Sequence, residues 1–241
     1  MPDQTPTSPN VLTYLDARIP VRFHEHLGVV HGDGASAERG AEYLSEGLRL
    51  GQWCCCVAPA AMHAGILARL GDLGVDVRQH LNDHTLQLPP AAQGPGELME
   101  WANRFFAHAE TARAPAVRWW EEGVWARAED HSAPEFFAAH SRLNYLVKHY
   151  PSAAVCQYDS ADLDIPHLFS AIAVHRHLMV EGTLVRDNPF YIPPEKFLAM
   201  TPEDRERDLQ KIFREVGFDW KKLCASLAGY GQIQRPAPPR S

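Results

Sequence analysis

The stretch LGVVHGDGASAERGAEYLSEGLRLGQWCCCV, residues 27–57, decides the fold. Leu27 to Val30 is a short apolar run of the kind a buried strand needs, and it ends in a glycine-containing loop from His31 to Ser36. Beyond the loop, Ala37, Ala41, Leu44 and Leu48 recur on one helical face, which predicts a helix with Ser36 as N-cap and Gly51 as its stop. Trp53 to Val57 is a second apolar run of strand length. A strand, a crossover helix and a second strand make a βαβ unit, whose strands lie parallel.

The same alternation continues toward the C-terminus. Met62, Ile66, Leu70 and Leu73 stripe a helix, Thr85 to Leu88 reads as a strand, and Leu98, Trp101, Phe105 and Ala109 mark the next helix. Ala116 to Trp120 is a strand running into Glu121 and Glu122. Ser132-Ala-Pro-Glu135 is a capping box, opening a helix that should bury Phe136, His140, Leu143 and Val147. Ala153 to Tyr158 (strand), Ile165 to Val174 (helix) and Leu178 to Val180 (strand) complete the series. The expectation is a three-layer α/β domain with a mainly parallel sheet over residues 21–199. Before it, residues 1–20 form a tail or arm: ten Pro/Thr/Ser-rich positions, then Val11 to Ile19 as a lead-in helix or extended arm. After it, residues 200–241 form a short helical C-terminal extension with a disordered end. Its first helix starts at Thr201-Pro-Glu-Asp204 and carries Leu209, Ile212, Phe213 and Val216; a second carries Trp220, Leu223 and Leu227.

Of 241 residues, 45% are hydrophobic, enough for a large core, and the formal charge is −7. That balance argues against a surface committed to nucleic acid or an anionic membrane. No apolar run approaches the ~20 residues that span a bilayer, and Met1 to Asn10 lacks a signal pattern, so the expected compartment is the cytoplasm. Five cysteines, an odd number, read as reduced thiols rather than a disulfide framework. In the run Cys54-Cys55-Cys56, strand alternation puts Cys55 on the opposite face from the other two, so the three cannot converge on one ion. Packing is the plain role for them, with redox sensing as the alternative.

The loop after the first strand also tests for a phosphate-binding loop, which needs a lysine to reach the β- and γ-phosphates. It reads His31-Gly-Asp-Gly-Ala-Ser-Ala-Glu-Arg39, and the first lysine of the chain is Lys148. Arg39 is no substitute for a compact ammonium, and Asp33 and Glu38 would repel phosphate.

Open α/β sheets bind ligands beyond the carboxyl ends of their strands. That edge should display His31, Asp33, Ser36, Pro59, Met62, Glu121, Glu122, Trp125, Tyr158 and Asp159. The mixture suits a small-molecule pocket, and the competing view is ordinary loop residues capping helices. The expected ligand-binding set is His31, Asp33, Ser36, Glu121, Glu122, Trp125, Tyr158 and Asp159. No catalytic residue, cofactor or metal is expected. The pairs His24/His26 and His175/His177 could contribute to a metal site, but no cysteine or carboxylate stands at zinc-motif spacing around them. An enzyme using Glu121 and Glu122 or a histidine-bound metal is the rival reading, though no nucleophile motif supports it.

Several segments resemble one family. Cys156-Gln-Tyr-Asp159, Arg186-Asp-Asn-Pro-Phe-Tyr191 and Pro193-Pro-Glu-Lys-Phe-Leu198 are similar to the closing signature of the MEDS family, the methanogen/methylotroph sensory domains. Glu46-Gly-Leu-Arg-Leu-Gly51, Arg142-Leu-Asn144 and Trp125 agree with it, and the resemblance spans about residues 22–199. It implies a RecA-like fold related to clock ATPases but without their nucleotide machinery, and a role in sensing small organic molecules such as hydrocarbon derivatives. Members commonly carry a kinase or DNA-binding output; this chain shows neither. The two apolar stripes within residues 202–228 could instead dock a signalling partner or a second copy, and their mixed charge argues against DNA.

Without a phosphate-loop lysine, magnesium-dependent ATP hydrolysis should not rise above background in a coupled assay. Turnover that Glu122→Gln abolishes would overturn this.

Overall fold

The computed structural model describes residues 10–32, 34–124, 133–163, 165–180 and 182–215. The chain opens with an antiparallel hairpin of β1 (Val11–Leu15) and β2 (Ile19–Arg22). The arm is therefore extended, not helical: Thr13, Tyr14, Ile19 and Val21 favour a strand, and Leu12, Leu15, Ile19 and Val21 bury their side chains. Then come β3 (Glu25–His31), α1 (Ser36–Arg49), β4 (Trp53–Val57), α2 (Ala60–Asp72), α3 (Val77–Asn82), β5 (Leu86–Gln87), α4 (Pro95–Thr111) and β6 (Val117–Glu122). The series closes with α5 (Ala133–His149), β7 (Ser152–Asp159), α6 (Ile165–Val174), β8 (His177–Val180), β9 (Thr183–Val185), α7 (Pro194–Phe197) and α8 (Pro202–Glu215).

Among the described residues, seven strands form one sheet in the order β5-β4-β6-β7-β3-β8-β9. Every pairing is parallel except β8 with β9. Helices cover both faces, which makes the fold mixed α/β in three layers. The first face packs α1, α2 and the β1–β2 hairpin around Leu27, Val29, Cys54, Cys56, Trp120 and Val155. The second packs α4, α5, α6 and Leu209 of α8 around Val30, Cys55, Trp119, Cys156 and Tyr158. Strand alternation thus separates Cys55 from Cys54 and Cys56. All three are fully buried, burial pushes the Cys54 thiol up to about 12, and a protonated thiol is a poor nucleophile.

Three short elements escape the sequence pattern: α3, β9 and α7 are each too brief to show periodicity. The capping box at Ser132 and the second tail helix at Trp220 to Leu227 lie outside the described residues. Ser36 is a correction. It is the first helical residue of α1, Ala35 holds the N-cap place, and no side chain caps this end. The Ser36 hydroxyl goes elsewhere because a buried carboxylate, Glu122, lies within its reach.

The most unusual buried group on the first face is Arg118 of β6, fully shielded from solvent. Its Nε donates to Gln52 Oε1 at 2.6 Å, and Nη1 donates to the Tyr43 carbonyl at 2.6 Å and to Glu46 at 3.3 Å. Its guanidinium also lies 5.1 Å from the centre of the Tyr43 ring. Helix α1 makes room with glycine. A Cβ on Gly47 would come within 2.6 Å of Arg118 Cδ, and one on Gly40 within 2.8 Å of the Trp120 ring. These two interior glycines weaken the helix locally, but they let α1 lie against the bulkiest side chains of β6.

Removing the guanidinium takes the Arg118 donor from two buried acceptors, Gln52 Oε1 and the Leu12 carbonyl, while the Tyr43 carbonyl keeps its partner within α1. At about 1–3 kcal/mol per orphaned group, Arg118→Leu should lower the unfolding free energy by about 3 kcal/mol in a urea titration. A loss well below 1 kcal/mol would mean that water or repacking satisfies both groups.

Candidate functional site

Strands β3, β6 and β7 end together, and their last residues concentrate polar groups there: His31, Glu121, Glu122, Gln157, Tyr158 and Asp159. The two-residue period of β6 divides these groups between the faces. Glu122 points to the first face and Glu121 to the second, and each gathers its own partners.

On the first face, Glu122 Oε1 accepts from Ser36 Oγ at 2.5 Å and from Trp120 Nε1 at 2.8 Å. Gln157 of β7 donates to Ser36 Oγ at 2.6 Å, and Arg39 donates to Gln157 Oε1 at 2.8 Å. Arg39 also pairs with Asp16 in the β1–β2 turn at 3.0 Å. Burial raises the Glu122 carboxyl above its ordinary range, against the lowering effect of the Ser36, Trp120 and Gln157 hydrogen bonds and of Arg39. The result is a chain of polar contacts from the sheet edge through the start of α1 to the N-terminal hairpin.

On the second face, Glu121 Oε1 meets His140 Nε2 of α5 at 3.0 Å, and Glu121 Oε2 accepts from Trp119 Nε1 at 3.1 Å. The Tyr158 hydroxyl lies 3.3 Å from His140 Nδ1. Deeper in, His26 of β3 and His175, just beyond α6, pack edge to face with ring centres 4.3 Å apart. His26 Nε2 is 3.2 Å from Cys156 Sγ. His175 Nδ1 donates to the Ala171 carbonyl at 2.6 Å. His175 Nε2 has no hydrogen-bond partner, at a typical cost of about 1–3 kcal/mol for an orphaned buried group, whereas the His26 ring has the Asn144 side chain beside it. Burial and the repulsion of neighbouring imidazoles hold His26 well below its usual range, and the same causes bring His175 down to about 3. His26, His140, Cys156 and His175 together offer four ligand-type atoms within 4.8 Å of one another.

The residues expected to share one pocket are therefore distributed. Ser36 and Glu122 meet on the first face; Glu121 and Tyr158 meet through His140 on the second. His31 is buried at the end of β3, and its carbonyl accepts from the Ser160 amide at 2.8 Å. Asp159 is exposed, and its carboxylate accepts from the Ala161 amide at 2.8 Å, closing a turn. Asp33 and Trp125 lie outside the described residues. The sequence pattern leaves Arg39, Gln157, His140 and Cys156 out of the site. It offers His26 and His175 only in the local pairs His24/His26 and His175/His177, neither of which reads as a metal site. His26, His140, Cys156 and His175 lie far apart in the chain, so no local spacing joins the four. Beyond those pairs, only a polar residue at a core position of an otherwise apolar element gave a signal.

A mostly parallel seven-stranded sheet flanked by helices, with polar clusters on both of its faces, defines a protein of the mixed α/β class. Residues 27–176 match the family model MEDS: MEthanogen/methylotroph, DcmR Sensory domain, and the chain belongs to that family. The match stops at Arg176, short of the Arg186–Leu198 segment. That segment nevertheless packs on the same core: Asn188 Nδ2 donates to the carbonyls of Ile172 and His175, closing the end of α6. No curated protein matches the chain. Among the described residues no helix is long and apolar enough to cross a membrane.

The raised carboxyl of Glu122 has a measurable consequence. A carboxyl whose folded pKa exceeds its unfolded one favours folding when protonated, so its contribution declines as pH rises from the unfolded value through the folded one. Arg39 on α1 is the cation facing it, and the thiols of Cys56 on β4 and Cys156 on β7 are titratable groups near it. Glu122→Gln keeps an acceptor for Ser36 and Trp120 but carries no charge. Its stability relative to the wild type should therefore rise between pH 4 and pH 7 in chemical unfolding. A constant difference across that range would refute the assignment.

Proposed function

We propose that this chain is a non-catalytic sensor of a small organic ligand, with hydrocarbon derivatives as the first class to test. In this reading the ligand binds at the carboxyl ends of β3, β6 and β7, over His31, Ser36 and Glu122. Membership in a sensory-domain family supports the role. The observation that carries the site is the Ser36–Glu122 contact at 2.5 Å, flanked by Gln157 and Arg39. It places a donor, an acceptor and a buried carboxyl in one orientation, where a polar ligand group can compete for them.

The same contact supplies a route for the signal. Ser36 is the first residue of α1, and Arg39, one turn on, pairs with Asp16 of the hairpin. A ligand that replaces Ser36 on Glu122 would shift the start of α1 and with it the hairpin. A ligand must bind the two arrangements with different affinity for such a shift to report it. The output would be a change of conformation or assembly, with residues 202–228 as the surface for a partner or a second copy. Leu209 is already buried in the core of the domain, and Arg205 stacks 3.8 Å from the Phe197 ring.

Two measurements test this reading. Native mass spectrometry of protein purified from its own host should show a retained small molecule that is not turned over, and Ser36→Ala with Glu122→Gln should release it. Turnover of that molecule, or its mapping to the amino ends of the strands, would refute the proposal. For the tail, truncation after Met200 should shift the solution mass to monomer, with a modest loss of thermal stability because Leu209 leaves the core with it. An unchanged mass with a large fall in thermal stability would reject the partner surface.

A further inference from the structure

We infer that His26, His140, Cys156 and His175 bind one divalent transition-metal ion of the zinc class. The four residues come from β3, α5, β7 and the end of α6, and all are buried. Their candidate ligand atoms lie within 4.8 Å of one another, and His26 Nε2 and Cys156 Sγ are already 3.2 Å apart. Zinc–nitrogen bonds of about 2.0–2.1 Å and a zinc–sulfur bond of about 2.3 Å place tetrahedral ligands roughly 3.4–3.7 Å apart. The widest pair would have to close by about 1 Å, a contraction that side-chain rotation supplies.

The surroundings are those of a ligand set rather than of a packed core. His175 donates from Nδ1 to the Ala171 carbonyl at 2.6 Å, so its lone pair is at Nε2, and Nε2 is buried with no partner. Glu121 engages His140 Nε2 at 3.0 Å, the carboxylate–imidazole arrangement that orients a metal-bound histidine and makes it more basic. That leaves Nδ1 for the ion, in the place where the Tyr158 hydroxyl now approaches. Gly28 gives space to the His175 ring, since a Cβ there would come within 2.7 Å of its Cγ. A thiolate and Glu121 would together balance two positive charges in a site shut off from water.

Three imidazoles and one thiolate form a borderline-soft donor set, which favours zinc-like ions over magnesium or calcium. Four protein ligands leave no open position, so the ion would hold structure and not activate water. It would clamp β3, β7, α5 and the end of α6 from the second face. The proposed organic ligand sits on the first face, so either proposal can fail without the other.

The test uses the full chain, purified without a metal-affinity step and stripped with a chelator. Titration with Co²⁺ should saturate at one equivalent, with the intense visible bands of tetrahedral cobalt and a sulfur-to-cobalt charge-transfer band. Zn²⁺ should displace the cobalt at the same stoichiometry. Cys156→Ser should remove the charge-transfer band, and Glu121→Gln should weaken zinc binding by about tenfold or more. The wild-type titration decides the matter even if a variant does not fold. Wild-type protein with native circular dichroism that takes up neither ion, or gives only an octahedral cobalt spectrum, overturns the inference. So does copper uptake without cobalt or zinc. Stoichiometric binding that survives in a folded Cys156→Ser/His175→Ala double variant does the same.

Discussion

Strand β6 sends Arg118, Trp120 and Glu122 to one face of the sheet and Val117, Trp119 and Glu121 to the other. Each side chain meets a helix shaped to receive it. Trp119, Trp120 and Arg118 are the largest fully buried side chains of the described protein, so the layer spacing on both faces is set here. Glycines at 40 and 47 in α1 are the complement on the first face; the aromatic pair Phe105 and Phe106 of α4 is the complement on the second, with ring centres 6.4 Å from Trp119. A one-residue slip of β6 would put charges where tryptophans belong, which is why register in such a strand is strongly specified.

The same alternation creates two chemically different polar layers from one pair of glutamates. Glu122 lies among hydroxyl, amide and indole donors with a guanidinium one step away. Glu121 faces imidazoles and a tyrosine. Buried polar networks are worth keeping only when nearly every member is satisfied. The first-face network meets that standard closely. The second does not, because Nε2 of His175 remains orphaned, and an incompletely satisfied buried cluster is where a function is most reasonably sought.

A sensor needs elements that can move without unfolding the core. The first-face contacts join the sheet to α1 and then to the β1–β2 hairpin by side-chain hydrogen bonds and one ion pair, Arg39 with Asp16, whose carboxylate is partly exposed. Such contacts exchange with small rearrangements. The second-face cluster is enclosed by α5 and α6 and is buried.

The sequence by itself determined the layer architecture. Short apolar runs separated by helical stripes permit little except a parallel α/β sheet, and β4 and α6 fall within the limits that periodicity predicts, Trp53–Val57 and Ile165–Val174. It also determined which face each cysteine of 54–56 takes, since alternation is a local property. Local pattern could not decide that the arm is a hairpin, because strand pairing depends on a partner. Nor could it show that Ser36 binds Glu122 instead of capping its helix, a contact between residues 86 positions apart. The histidine cluster as such was out of reach, although His26 and His175 stood out in local pairs. His26, His140, Cys156 and His175 sit on four elements, and the strand order alone brings β3 beside β7. Their meeting is a consequence of topology, and topology is set by how the whole chain buries its apolar faces, not by the spacing of any residues along it.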